Sequence, residues 1–168
     1  VMNWMSAHPD FRRTFFSITL PAVLPDGLTY IDERGLGAAA WLGPNHKLRW
    51  PATPTNLWRM DKVSGLRGVY RFGRSGLTTA RFHPGEPHYY LFLLGAVPEA
   101  QGQGIGSALI AHVLRKCDDD LLPAYLENSK HDNLAFYQGH GFKVVDEIRF
   151  APGAPPVWLM WREPRPTH

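Results

Sequence analysis

Cysteine is nearly absent from this 168-residue chain, with Cys117 standing alone. A lone thiol excludes an internal disulfide and fits a reducing compartment. Long apolar runs are missing too, and none reaches the roughly 18 residues that a bilayer-spanning helix needs. Residues 1–20 are interrupted by Pro9, Asp10, Arg12 and Arg13, so no signal peptide is visible, and the expectation is a cytoplasmic protein with no membrane partner. Charge is sparse, at 20% Asp, Glu, Lys and Arg, and the formal net charge is only +3. The basic residues are scattered rather than gathered into a stripe, which argues against nucleic acid as a partner. No His-Glu-x-x-His and no Cys/His pair of zinc-finger spacing occurs. The eight histidines, with His83 and His88 close in sequence, therefore give an expectation of no metal. What is present is 44% hydrophobic residues and a length sufficient for one cored domain spanning 1–168.

Glycine is concentrated where it matters. Tyr89-Tyr90-Leu91-Phe92-Leu93-Leu94 is bulky and reads as a buried strand. Ile105, Ala108, Leu109, His112 and Val113 recur at helical steps. Between them lies Gly95-Ala96-Val97-Pro98-Glu99-Ala100-Gln101-Gly102-Gln103-Gly104-Ile105-Gly106-Ser107. A strand-to-helix turn with glycines at alternate positions lets backbone approach a ligand. The orphan N–H groups and positive dipole end of the helix form an anion site suited to a pyrophosphate. The backbone amides of Gly102, Gln103, Gly104, Ile105, Gly106 and Ser107 are the expected donors. The spacing is one residue too tight for a dinucleotide fingerprint, and no lysine precedes Ser107 as a P-loop requires.

Val97-Pro98-x-x-Gln101-Gly102-x-Gly104-Ile105-Gly106 resembles the acetyl-coenzyme A loop of the GCN5-related N-acetyltransferases (GNAT), Gln/Arg-x-x-Gly-x-Gly/Ala. A second block follows at matching distance: Pro123-Ala124-Tyr125-Leu126-Glu127-Asn128, then Asn133-Leu134-Ala135-Phe136-Tyr137 leading to Gly141-Phe142. Within the family, the segments Glu86–Leu91, Pro123–Asn128 and Pro156–Met160 are similar to puromycin N-acetyltransferase and its actinobacterial relatives. That likeness covers residues 84–164 well and fades over 46–80.

The resemblance implies an α/β (α+β) GNAT fold, a mixed, mostly antiparallel sheet with a V-shaped splay, flanked by helices. It also implies acetyl transfer from acetyl-coenzyme A directly to the amine of a small molecule within a ternary complex. The protein would be a monomer or homodimer. The alternative is a non-catalytic acyl-coenzyme A sensor or interaction module. Gly95, Ala96 and Val97 match the positions whose N–H groups meet the pantetheine arm and thioester oxygen, with Gly95 a plausible bulge residue. Asn133 would contact the arm and Tyr137 would protonate the departing thiolate, a phenol being protonated at neutral pH. The base that deprotonates the amine is expected to be Glu127, with His88 and Glu86 as rivals. Family members often place a basic residue in the loop where Gln101 and Gln103 stand. Arg115 or Lys130 would then supply the missing charge.

Elsewhere, residues 1–20 read as one helix with Trp4, Met5, Phe15, Phe16 and Ile18 inward, which implies that the family's first edge strand is missing. Gly27–Asp32 and Gly37–Leu42 read as a strand pair and Thr55–Ser75 as a helical stretch. Val144–Phe150 and Val157–Trp161 read as the last strands. Residues 1–80 would form the acceptor side, with Trp4, Tyr30, Trp41, Trp50, Trp58, Tyr70 and Phe72 available to line it. Residues 81–164 would form the acetyl-coenzyme A and catalytic half.

Overall fold

Period-two side-chain alternation organises the molecule. A computed structural model describes residues 1–46 and 49–165. Among them six strands form one sheet in the order β1-β2-β3-β4-β6-β5: β1 (Thr29–Ile31), β2 (Gly37–Leu42), β3 (Tyr89–Ala96), β4 (Ala124–Asn128), β5 (Lys143–Ile148) and β6 (Val157–Arg162). All neighbours are antiparallel except β3 and β4, which run parallel. Ala39, Trp41, Tyr89, Leu91, Leu126 and Met160 point to one face, where they pack with Ile105, Leu109, Val113, Tyr137 and Phe142. Their immediate neighbours Ala40, Leu42, Tyr90, Tyr125 and Leu159 point to the other, against Met5, Phe11, Ile18 and Met60.

The helices cover those two faces. α1 (Met2–Met5) and α2 (Phe11–Val23) replace the single expected helix, because Pro9 and the turn around it interrupt the chain between them. Met5 and Ile18 are buried as expected, whereas Trp4, Phe15 and Phe16 are half-buried; Trp4 lies under the Arg71 guanidinium at 5.0 Å. The next helix, α3 (Pro54–Phe82), continues beyond the expected Ser75 and breaks at Gly65, whose φ of 64° and ψ of 173° are non-helical. The other face carries α4 (Ile105–Asp119) and the short α5 (Leu134–Gly139). No strand precedes β1 among the described residues, so β1 and β5 are the sheet edges.

The β3–β4 ladder has only three partner pairs, ending at Leu91↔Leu126. Beyond that point β3 stays on β2 and β4 stays on β6, so the two central strands diverge. A bulge in β3 opposite Ala40 and Trp41 accompanies the divergence, with Ala40 facing Leu93 and Trp41 facing Leu91. The extra residue is Phe92. It places both Phe92 and Leu93 on the α1–α3 face. The bulge is therefore three residues upstream of Gly95, which sits in regular pairing with Ala38.

Candidate functional site

The diverging strands open a cleft of about 150 Å³ lined by Leu91–Leu94 of β3, Leu126–Lys130, Asn133 and Tyr137. Its β3 wall presents unpaired backbone. The Val97 N–H donates to the Leu36 carbonyl at 2.9 Å, and bonded pairs recur at every second residue of an antiparallel ladder. Gly95 therefore shares its bonds with Ala38, while the peptide groups of Leu94 and Ala96 face away from β2. The Ala96 carbonyl is accordingly free to accept the Gln101 side-chain amide at 3.3 Å. Of the three expected backbone donors, Ala96 faces the splay, Gly95 faces the sheet, and Val97 is already engaged. Leu94, which sequence reasoning did not single out, faces the splay together with Ala96. No residue-level signal for it exists, because the alternation depends on register.

A short 3₁₀ turn, Pro98–Ala100, leads into the glycine loop, and Gln103 donates back to the Glu99 carbonyl at 2.9 Å. Gly102 (φ 78°) and Gly104 (φ 82°) are left-handed, and a Cβ at either would meet nothing within 4 Å. Here glycine serves conformation and bare backbone rather than internal packing. Gly106 is different: its Cβ would come to 3.3 Å from the Phe136 ring, so that residue is small because α5 lies against it. The first helical bond of α4 runs from Ala108 N–H to the Gly104 carbonyl, leaving the amides of Ile105, Gly106 and Ser107 directed at the loop. The Ser107 hydroxyl pairs with His140 Nε2 at 3.0 Å.

Across the cleft, Tyr137 on α5 is buried in the α4/α5 core but lines the opening. Burial pushes its phenol pKa up to about 12, so it is a protonated donor throughout neutral and mildly alkaline pH. Asn133 lies in the 3₁₀ turn His131–Asn133 that precedes α5, not on the helix itself, yet it reaches the same cleft. Glu127 lies one residue past the last β3–β4 pair. It receives the Tyr125 hydroxyl at 3.3 Å and the Thr79 hydroxyl at 3.4 Å, with His83 Nδ1 at 3.8 Å. Acid and carboxylate thus lie on opposite sides of the splay. A group bound in the splay would have a proton donor on one side and a proton acceptor on the other.

Residues 65–144 match the family model of the acetyltransferase (GNAT) domain. The segment that holds the glycine loop, Glu127 and Tyr137 thus resembles a GNAT acetyltransferase domain. A mycothiol acetyltransferase of Thermomonospora curvata is 28% identical, over 94% of this chain and 55% of that protein. An uncharacterised N-acetyltransferase of Schizosaccharomyces pombe is 27% identical, over 76% of this chain and 56% of that protein. The chain thus spans about half the length of the curated relatives it matches. Among solved structures, a protein described as histone acetyltransferase HPA2 and related acetyltransferase from Corynebacterium glutamicum superposes with a TM-score of 0.66 at 23% identity, covering 98% of this chain and 82% of that one. The C-terminal condensation domain of Ebony, in complex with beta-alanyl-dopamine, superposes with a TM-score of 0.65 at 13% identity, covering 96% and 84%. These two are likenesses of fold.

The remaining candidates separate by position. His88 is 7% exposed, with its Nδ1 2.6 Å from the Glu86 carbonyl and its ring packed on Tyr125 and Trp161. Desolvation lowers its pKa, outweighing the Glu86 carbonyl. Glu86 is exposed at the far end of β3. Neither lines the cleft, which leaves Glu127 as the carboxylate at the splay. Arg115 is an exposed residue of α4, whereas Lys130 lines the opening. Of the expected aromatic wall, Trp58 and Tyr70 are exposed, Trp41 belongs to the α4 core, and Tyr30 packs at a tilt against His112. Phe15, Trp50 and Phe72 do form a group, with ring centroids 4.9 Å and 5.7 Å from Phe72. Among the described residues no group of three or more His, Cys, Asp or Glu could hold a metal ion, and no helix is long and apolar enough to cross a membrane.

Proposed function

We propose that this chain transfers the acetyl group of acetyl-coenzyme A directly to the amine of a small molecule bound in the same complex. The observation that carries this reading is the splay itself. It is an open cleft with free β3 backbone on one wall, Tyr137 on the α5 side and Glu127 on the α3 side. The pyrophosphate would rest on the amides of residues 102–107, as anions do at helix N-termini. The pantetheine arm would take strand-like bonds from Leu94 and Ala96 and a contact from Asn133. Glu127 removes a proton from the incoming ammonium, since an alkylamine is mostly protonated at neutral pH. The amine nitrogen then attacks the thioester carbon, and Tyr137 protonates the leaving sulfur. Residues 1–80 supply the acceptor side of the domain and residues 81–164 the coenzyme side.

A small acceptor is favoured over a polycation. Phe92 and Leu93 turn apolar surface toward the acceptor face, and Phe15, Trp50 and Phe72 continue it. The acidic lining that a polycation would demand is limited to Glu127 in the cleft. The mycothiol acetyltransferase relative, named for a small molecule rather than a protein, supports the same choice. The test is thiol release from acetyl-coenzyme A with puromycin, phenethylamine, kanamycin and a lysine-rich peptide as acceptors. Highest kcat/KM is expected for the two aromatic amines. Preference for kanamycin or the peptide contradicts the small-amine assignment, and thiol release without any acceptor dependence contradicts the transferase reading.

The loop has its own test. Gly104→Val forces a β-branched residue into a left-handed conformation, a strain of about 1–3 kcal/mol, and plants a side chain where the backbone should meet phosphate. Calorimetric titration of the folded variant should show acetyl-coenzyme A affinity reduced by about tenfold or more. Affinity equal to that of the parent removes the loop from the binding site.

A further inference from the structure

Acetylation of an ammonium releases one net proton. The nitrogen gives up two, one before attack and one as the amide forms, while the N–C bond is made and the C–S bond broken. The departing thiolate keeps one proton, delivered through Tyr137, and the other must leave the site. Glu127 can accept that proton but has little access to water, its side chain being 13% exposed. The way out is visible behind it. His83 terminates α3 as its C-cap residue, is 28% exposed, and holds Nδ1 at 3.8 Å from Glu127 Oε1.

We infer that His83 is a positioning residue acting through Glu127, orienting that carboxylate and carrying its proton from the cleft to solvent. The inference rests on Glu127 being the base of the proposed reaction. Three ring contacts hold the imidazole in place: Tyr90 at 5.0 Å, Tyr125 at 5.1 Å and His88 at 4.9 Å between centroids. The titratable groups facing it are therefore His88 just before β3, Tyr90 of β3, and Tyr125 and Glu127 of β4. Thr79, one turn earlier on α3, bonds the other oxygen of Glu127 at 3.4 Å, while Oε1 faces the imidazole and also accepts the Tyr125 hydroxyl at 3.3 Å. Tyr90 and Tyr125 cannot take the proton's place as carriers at neutral pH, because burial and the Glu127 charge raise both phenol pKa values. An imidazole has two ring nitrogens, so it can take a proton at one and release it from the other. The separation of 3.8 Å is an ion-pair distance, and catalytic hydrogen bonds commonly shorten when substrate is bound.

The experiment measures acceptor-dependent thiol release at low buffer concentration, with the fastest amine of the panel above, for the parent, His83→Gln and Glu127→Gln. His83→Gln should lower kcat about 10- to 100-fold, less than the loss of a direct proton-transfer group, with KM for acetyl-coenzyme A unchanged. Added imidazole should restore several-fold of the loss, which a merely structural role would not allow. Unchanged acetyl-coenzyme A affinity certifies that the variant is folded. A His83→Gln kcat within about threefold of the parent, or a loss that imidazole does not restore, overturns the relay. Glu127→Gln should be inactive whatever the imidazole concentration. Full activity of Glu127→Gln would instead remove the base on which the relay rests, so the two failures are distinguishable.

Discussion

Tyr137→Phe should lower kcat by about 10²- to 10⁴-fold, the span general acid catalysis usually contributes, while KM for acetyl-coenzyme A changes little. The ring stays in the α4/α5 core, where it meets Phe136 at 5.1 Å and Phe142 at 6.1 Å between centroids, so the variant should fold as the parent does. Only the hydroxyl is lost. That hydroxyl has no hydrogen-bond partner among the described residues, so no buried group is orphaned by its removal. Because burial raises the phenol pKa to about 12, ionisation of Tyr137 should produce no alkaline fall in kcat below about pH 11. Steady-state kinetics across pH checks both expectations. A kcat within about threefold of the parent would make Tyr137 a packing residue.

The largest expected stability effect lies on the opposite flank of the domain. Asp118, near the end of α4, receives Arg162 of β6 through two hydrogen bonds of 2.8 Å, and the Arg165 amide donates to it at 2.7 Å. Arg162 also reaches the His140 carbonyl at 3.2 Å, and its side chain is only 5% exposed. Asp118→Ala would leave a buried guanidinium without its counter-charge, at a cost of about 3–5 kcal/mol. For a domain of this size, Tm should fall by about 6–20 °C. The pair also sets an acid limit. Burial pushes the Asp118 carboxyl up, but the Arg162 and Arg165 hydrogen bonds and charges outweigh it, and the folded pKa lies below the usual value. A carboxylate with a lowered folded pKa contributes stability above its unfolded value of about 3.9. That contribution is lost as pH falls through the lower folded value. Thermal melts from pH 7 downward check this: the parent and Asp118→Ala curves should converge at the acid end. A variant that melts within about 2 °C of the parent at neutral pH contradicts the role given to the pair.

Much of this site could be read from sequence because its parts are local. The glycine loop declares itself by composition, and of its two left-handed glycines Gly104 is a motif glycine while Gly102 fills an open position of the motif. The strand before it and the helix after it follow from period-two and helical patterning. Tyr137 and Glu127 stand in blocks whose spacing resembles the family. What could not be read depends on pairing between distant segments. The phase of β3 is fixed by Val97 bonding to Leu36, so whether Gly95 or Leu94 faces the splay is a matter of register. The bulge at Phe92 likewise exists only relative to Ala40 and Trp41. His83 lies at the end of a helix that sequence patterning closes at Ser75, and its approach to Glu127 is a contact between residues far apart in the chain. The break at Gly65 is hidden because an isolated glycine is tolerated within a helical pattern.

Acetyl-coenzyme A is expected to occupy the splay, with its pyrophosphate on the glycine loop and its thioester near Tyr137. Titration of ¹⁵N-labelled protein with acetyl-coenzyme A, followed by amide chemical shifts, tests it most directly. The expected result is saturable perturbation of residues 102–107 together with Leu94, Ala96 and Asn133, while Val97 and Gly95 respond less because their amides are held by β2. Perturbation that leaves the loop amides unmoved, or centres on the exposed face of α3, would contradict the account.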